Sequence, residues 1–502
     1  MRTKTALKNS TITIITNILC FLCGYISRMM LARFLSQEYL GLSGLFQDII
    51  SVLSISELGI ATAMSYALYK PVAEDDTEHI QKLLQLYKRM YLAVAAFITA
   101  AGFAVVPFLP KLIGDYSSIP HIARYYLMYL APTVLSYFCY YKTAVLYAYQ
   151  KQYVMNLYTS IGQIGRYVVQ LAVLCLTKNF TLYVAVQAVI SFLPNYFGSR
   201  RAEKEYPFIR ENKKELPPKE ERHAIYKNIF AMSAHKIGTV LVNNTDSLIM
   251  SSFLGLGVAG IVSNYKLIIN ALTKAVRQAV DSISATVGNL GAVENSERVY
   301  RAYRKVYFLC SVCYSYCCVM MALLFSDYIL LGFGTKYLLP ASVSTLMIID
   351  FYTKGMRTPT LCFRDAMGIF WYDRYKPAFE VVINLVTSII LVQKTGVSGI
   401  ILGTLISFFT TSFIVDPYVW FRYGIRTHWK KRLAAYFAGY LLDAGKTVLT
   451  ALICLHLCKG ITGNGIMVIA EKGFLGTAVC AVCFFVLFLI PEWIRVRIQK
   501  KR

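Results

Sequence analysis

The feature that most constrains this chain is the recurrence of apolar stretches of about 20 residues, the length an α-helix needs to cross the hydrocarbon core of a bilayer. They run over 10–31, 40–68, 91–110, 122–147, 154–176, 180–197, 227–252, 256–280, 306–326, 338–361, 377–393, 397–420, 433–457 and 467–490. Fourteen such segments use more than half of the 502 residues. The longest polar stretch, 198–226, is too short for a soluble catalytic domain. Apolar residues make up 56% of the chain, above the roughly 45–50% of soluble domains.

The net charge of +25 arises from 52 Lys and Arg against 27 Asp and Glu, in a chain that is only 16% charged. Disorder and a nucleic-acid-binding tail both need charge-dense polar stretches, so neither fits. Lys and Arg in short loops stay on the cytoplasmic side of a membrane. With the N-terminus inside, the cytoplasmic segments carry most of the 52, nine of them from Arg200 to Lys227, and the opposite loops only a handful. The first apolar segment is too long, and too lacking in a small-residue exit, for a cleaved signal peptide.

These patterns predict an all-α polytopic membrane protein of about fourteen transmembrane helices, with both ends in the cytoplasm. The expected organisation is an N-lobe over 1–197, a cytoplasmic linker over 198–226, a C-lobe over 227–420, an extra helix pair over 433–490 and a basic tail over 491–502. Two six-helix lobes would then surround a central cavity. A weak internal repeat accompanies this division: Phe34-Leu35, Gly41, Phe46 and Ile49-Ile50 recur 219 positions later as Phe253-Leu254, Gly260, Tyr265 and Ile268-Ile269. An even number of spans separates the copies, so they share one orientation.

Catalytic and nucleotide-binding signatures are missing. There is no G-x-x-x-x-G-K-[ST] loop, no H-E-x-x-H and no G-x-S-x-G elbow, so ATP-driven pumping is disfavoured and no enzyme activity is expected. The 13 cysteines lie mostly inside apolar segments and do not form a secreted disulfide framework. Cys310, Cys313, Cys317 and Cys318 share a helical face but have no His or carboxylate close in sequence, which favours small packing residues over metal ligands.

Ionisable residues at membrane depth carry the functional information, because a charge at a helix centre costs about 2.5–3.5 kcal/mol on insertion scales unless it meets water or a partner. The bases are Arg28, Arg124, Arg166, Lys236, Lys266, Lys274, Arg277, Lys354, Arg357 and Lys446, with Asp48, Glu57, Asp246, Asp281, Asp350, Asp416 and Asp443 as possible partners. Arg28, Arg124 and Arg277 lie near segment ends, where long side chains snorkel. Asp443 and Lys446, three apart, read as a self-neutralising pair. Lys236, Lys266, Arg166, Asp350 and Lys354 fall near mid-segment. The excess of bases suggests a weakly cationic cavity suited to an anionic solute, with Arg28, Lys236, Lys266, Arg166 and Lys354 as the substrate-binding set. Asp48, Glu57, Asp246 and Asp350 are the candidates for coupling to H+ or Na+, and no other cofactor is expected. Tyr125-Tyr126, Tyr129, Tyr137, Tyr140-Tyr141 and Tyr147 recur at helical spacing. Packing is the favoured reading of that stripe, and contact with sugars the alternative.

Two blocks go further than composition. Ser27-Arg28, Leu40-Gly41-Leu42-Ser43-Gly44-Leu45-Phe46, Ser56-Glu57-Leu58-Gly59-Ile60-Ala61-Thr62-Ala63 and Leu68-Tyr69-Lys70-Pro71 form one; Phe363-Arg364-Asp365-Ala366-Met367-Gly368, Lys376-Pro377-Ala378-Phe379-Glu380 and Asn384-Leu385 form the other. Together they resemble the polysaccharide-exporter branch of the multidrug/oligosaccharidyl-lipid/polysaccharide (MOP) flippase superfamily. The resemblance implies a Wzx-type flippase of the bacterial cytoplasmic membrane that moves undecaprenyl-pyrophosphate-linked oligosaccharides by alternating access, for capsule, O-antigen or teichuronic-type polymers, beside polysaccharide-assembly partners. It also implies basic residues of the first, second and eighth helices in a central cavity. Arg28 and Lys266 occupy such helices, whereas the second helix offers Asp48 and Glu57 and no base. A cation-coupled multidrug exporter of the same superfamily is the alternative. A membrane oligosaccharide polymerase or ligase would need a larger external loop than any here.

Overall fold

The computed structural model describes residues 2–493 except 58, 114–118, 150, 211–214, 294–295, 368, 370–371, 462 and 464; the side chains of some further positions, Lys236 and Asp281 among them, also lie outside the described residues. The described backbone is helical almost throughout and has no strand, as a lipid-embedded chain requires: in hydrocarbon every backbone polar group must be satisfied within the segment. Nine helical stretches among the described residues are long and apolar enough to cross a membrane. Large apolar side chains such as Leu176, Phe474 and Val189 lie more than 60% exposed, a surface that only lipid accommodates over such an extent.

The chain divides into two compact units, Met1–Gly260 and Ile261–Arg502. The first begins with α1 (Arg2–Phe34) and α2 (Gln37–Leu53). A 3-10 turn over Ser54–Glu57 and Gly59 at φ 92° then break the helix before α3 (Ile60–Ala73). Glycine carries no Cβ penalty in this left-handed region. Next come α4 (Thr77–Val105) and the short α5 (Leu109–Ile113). Asp76 caps α4 by accepting the His79 N–H at 2.9 Å, which satisfies one of the orphan donors of its first turn. The unit continues through α6 (Ile122–Ala148), α7 (Gln152–Thr177) and α8 (Phe180–Glu205). In its core α6 packs on α4 and α8, and α7 packs on α1 and α8, around fully buried Leu40, Phe46, Tyr87, Tyr91 and Tyr126.

Phe208, Glu215 and Glu221 dock onto α4 of the same unit. Gln81 donates to the Phe208 carbonyl at 2.9 Å, His79 lies 2.9 Å from Glu221, and Lys82 reaches Glu215 at 3.2 Å. The long α9 (Lys219–Val293) changes direction at Gly255, where φ is 84°. Just beyond that kink, Gly41 and Gly260 face each other. An added Cβ on Gly41 would stand 2.0 Å from the Leu256 oxygen, and one on Gly260 would stand 2.2 Å from the Gln37 oxygen.

The second unit holds α10 (Ser296–Phe333), α11 (Ala341–Met356), α12 (Thr358–Ala366), α13 (Lys376–Thr395), α14 (Val397–Thr410), α15 (Ser412–Val419), α16 (Trp429–Leu457) and α17 (Ile466–Phe484). Small residues bring α13 and α14 together: a Cβ on Gly403 would collide with Ser388, and one on Gly399 with the Leu391 carbonyl. Close backbone approach of this kind replaces the hydrophobic driving force that is absent between helices in lipid. The Asn384 amide bonds Thr404 at 2.9 Å across the same contact. Both α16 and α17 pack on α10, with Cys454, Cys480, Phe484 and Phe488 clustered around Val319.

Candidate functional site

Within the first unit, the folding of α1, α6, α7 and α8 against one another brings together Arg166, which lies near mid-segment, and Arg28, which lies near a segment end. Arg28 on α1 has Tyr183, Tyr129, Tyr167 and Asp48 as its electrostatic neighbours. Arg166 on α7 acts on the same Tyr129 and Tyr183. The Arg166 guanidinium lies over the Tyr167 ring at 4.8 Å, and its Nη1 donates to Ser191 at 3.3 Å. Its Nε is buried without a hydrogen-bond partner, a costly state for a guanidinium donor unless water or a ligand meets it. Two half-buried cations thus lie among three phenols, of which Tyr129 and Tyr183 are buried in the packing and Tyr167 is half-buried.

Glu57 occupies a second place in this unit, at the break between α2 and α3. The Tyr137 hydroxyl bonds the Glu57 carboxylate and stands 3.5 Å from the Ser54 hydroxyl, and Tyr91 and Tyr140 lie within electrostatic reach. A carboxylate at a discontinuous helix, where backbone groups lose their intrahelical partners, is the arrangement by which transporters hold small cations.

The other expected residues distribute as follows. Asp48 and Asp246 are half-buried in the first unit, and Lys266 is half-buried in the second. The Lys236 side chain lies outside the described residues. Lys354 and Asp350, expected in separate substrate and ion roles, pair with each other along α11 at 2.8 Å, while Asp350 Oδ1 is buried without a partner. Arg124, Lys274 and Arg277 are exposed. The Asp443–Lys446 pair forms at 3.0 Å, and Asp443 also accepts from Ser311 at 2.9 Å. Much of the tyrosine stripe of α6 is packing: Tyr126 and Tyr129 edge onto Phe46 with centroids at 5.5 Å, and Tyr137 stacks on Tyr91 at 5.9 Å. Cys310 and Cys318 are buried among α10 contacts. Among the described residues, no three His, Cys, Asp or Glu side chains converge in a way that would hold a metal ion.

The sequence reading missed the largest buried charge network of the second unit. Asp416 on α15 is paired by Arg357 and Lys376 and lies 3.6 Å from Arg364; Arg364 pairs in turn with Asp373, itself 3.6 Å from Lys376. Asp373, Lys376 and Asp416 are almost wholly buried. The signal lay in the block 363–380 that carries the family resemblance, but the partner of its charges is 40 residues further on.

Long apolar helices, charged side chains at membrane depth and a second apolar segment broken between α2 and α3 define a class, the polytopic α-helical membrane proteins. Residues 13–170 match the MatE family model. The chain is similar in structure to the lipid II flippase MurJ in an inward closed conformation, with a TM-score of 0.69 and 14% identity over 96% of this chain and 100% of that one. It is also similar to an inward-facing multidrug resistance MATE transporter of the MOP superfamily, with a TM-score of 0.66 and 13% identity over 83% and 95%. A MOP superfamily transporter from Pyrococcus furiosus, described as having a binding pocket of reverse polarity, aligns with a TM-score of 0.54 and 12% identity over 86% and 96%. No curated protein matches the chain.

Proposed function

We propose that this protein is a lipid-linked oligosaccharide flippase of the bacterial cytoplasmic membrane, moving undecaprenyl-pyrophosphate-linked repeat units by alternating access for surface polysaccharide synthesis. The observation that carries this reading is the convergence of Arg28 and Arg166 on Tyr129, Tyr167 and Tyr183. A pyrophosphate calls for paired cations, and sugars call for rings with hydroxyls. A cation exporter calls for the opposite, an acid-dominated apolar wall. The likeness to a lipid II flippase over 96% of the chain supports the same choice. In this reading Arg28 and Arg166 engage the anionic head, the prenyl chain stays in lipid, and Glu57 carries the coupling cation, with Asp48 and Asp246 in supporting positions.

The test is transport in proteoliposomes. Purified protein is expected to translocate a fluorescent prenyl-pyrophosphate oligosaccharide and to leave cationic dyes where they are. Dye accumulation without lipid translocation would replace this reading with the multidrug one.

A further inference from the structure

A cavity of about 250 Å³ lies between α10, α16 and the C-terminal end of the last helix, wholly within the second unit. Its lining runs along α16 from Arg432 to Lys446, a distance of about 21 Å at 1.5 Å per residue. That is somewhat more than half the thickness of a bilayer's hydrocarbon core. Arg304 and Arg432 stand at one end, among the basic residues Arg301, Lys305, Lys430 and Lys431 near the N-terminal ends of α10 and α16, which the positive-inside rule assigns to the cytoplasmic face. Asp443 and Lys446 stand at the other.

Three features point to what fills it. Leu442 lines the cavity yet is 64% exposed on the apolar surface of α16, so the mouth opens toward lipid and not toward water. The two arginines are pre-oriented: Nη2 of Arg304 donates to both Glu492 oxygens at 2.9 Å, and the Arg432 guanidinium lies 4.2 Å from the Tyr300 centroid while it pairs with Glu297. Each guanidinium has five N–H donors, more than these contacts use. Finally, Tyr307 lines the cavity, and its hydroxyl is buried with no hydrogen-bond partner, a donor that a polar ligand would satisfy on displacing the atoms that cover it. Each lining cation has a carboxylate partner, Arg304 with Glu492, Arg432 with Glu297 and Lys446 with Asp443, so it is the spare donors of the two arginines that an anion would take.

We propose that this cavity binds one anionic glycerophospholipid of the cytoplasmic leaflet, its phosphate between Arg304 and Arg432 and an acyl chain descending past Leu442 and Phe488. The site is separate from the transported substrate. Its occupant ties the last two helices to α10.

Gly439 supplies the test, because it lines the cavity and a Cβ there meets open space. The full chain is delipidated in detergent and titrated with phosphatidylglycerol, phosphatidylethanolamine or a prenyl monophosphate, and bound lipid is counted by native mass spectrometry. Wild type and Gly439→Ala are expected to retain one tight phosphatidylglycerol, and Gly439→Leu to bind it at least tenfold more weakly with an unchanged elution profile. Equal retention by Gly439→Leu overturns the site, and equal binding of phosphatidylethanolamine overturns its preference for anions. Displacement of phosphatidylglycerol by prenyl monophosphate would reassign the cavity to the carrier lipid. Should Gly439→Leu not fold, Tyr307→Phe removes only the hydroxyl and is expected to weaken phosphatidylglycerol several-fold; unchanged binding there overturns the proposal equally.

Discussion

Gly41 and Gly260 meet backbone to backbone at the contact between α2 and the kinked α9. A methyl on either would run into a carbonyl oxygen of the opposite strand of chain, at 2.0 Å from Leu256 and 2.2 Å from Gln37. They are also positions that the internal repeat equates, 219 residues apart. Equivalent turns of the two copies are thus pressed together through the one residue type that permits it, a close approach of the kind that joins helices in lipid.

Gly41→Ala and Gly260→Ala are each expected to lower the melting temperature of the purified protein, since a helix carbonyl cannot rotate aside and overpacking costs about 1–3 kcal/mol. The double variant should cost less than the sum, because one separation of the two helices relieves both clashes. Gly165→Ala, where an added Cβ meets nothing within 4 Å, serves as the control and should match wild type. Thermal unfolding in detergent checks all four; a wild-type melting temperature for Gly41→Ala would show that the contact gives way easily.

The Asp416 network yields a stability prediction with a larger effect. Asp416 is 1% exposed and paired by Arg357 and Lys376, with Arg364 at 3.6 Å. Asp416→Asn leaves three neighbouring cations against Asp373, and losing one member of a buried ion pair costs about 3–5 kcal/mol. Expression and melting temperature should fall sharply. Adding Lys376→Met to that variant should recover part of the loss by removing one uncompensated charge, so a double-mutant cycle showing simple additivity would mean the two side chains do not interact.

How far the sequence carried this far depends on what kind of information each feature holds. Lipid imposes a one-dimensional constraint, an apolar run of fixed length, so the helical class follows directly from the order of residues, whereas the apolar segments 40–68 and 397–420 are broken inside and 227–252 and 256–280 run on as one kinked helix. The i,i+3 pair Asp443–Lys446 and the i,i+4 pair Asp350–Lys354 are similarly local and follow from helical spacing. What distance in sequence conceals is convergence. Lys376 and Asp416 are 40 residues apart, and nothing in hydropathy reports that α13 and α15 bring them together. The α2 break is legible only in hindsight, through Gly59 following Glu57, because a single glycine in an apolar segment is tolerated without breaking it.

In the proposed flippase, Arg166 is the residue that separates charge from geometry in substrate recognition. Its guanidinium both lies over Tyr167 and donates to Ser191, and lysine reproduces the charge without the planar fork. Arg166→Gln is expected to raise the KM for a prenyl-pyrophosphate oligosaccharide about 10–100-fold, the equivalent of a charge-assisted hydrogen bond of about 1.5–3 kcal/mol. Arg166→Lys should fall between Gln and wild type. An unchanged KM in Arg166→Gln, at normal expression, would remove this residue from the substrate site.

Glu57 is the place to look for coupling. A carboxylate at this depth costs about 2.5–3.5 kcal/mol unless something compensates it, and here the compensation comes from the Tyr137 hydroxyl and from the interrupted backbone between α2 and α3. Both are weak holds on a full negative charge, so a proton or sodium ion entering at the break would be bound in one state of the transporter and released when the break straightens or closes. Glu57→Gln keeps the shape and removes the charge. Flipping driven by an imposed H+ or Na+ gradient across proteoliposomes should therefore fall to the rate seen with no gradient, while gradient-free exchange of the lipid between leaflets persists. If the gradient still accelerates Glu57→Gln, the coupling cation binds elsewhere, and the break in the second span is a packing feature that Gly59 makes possible.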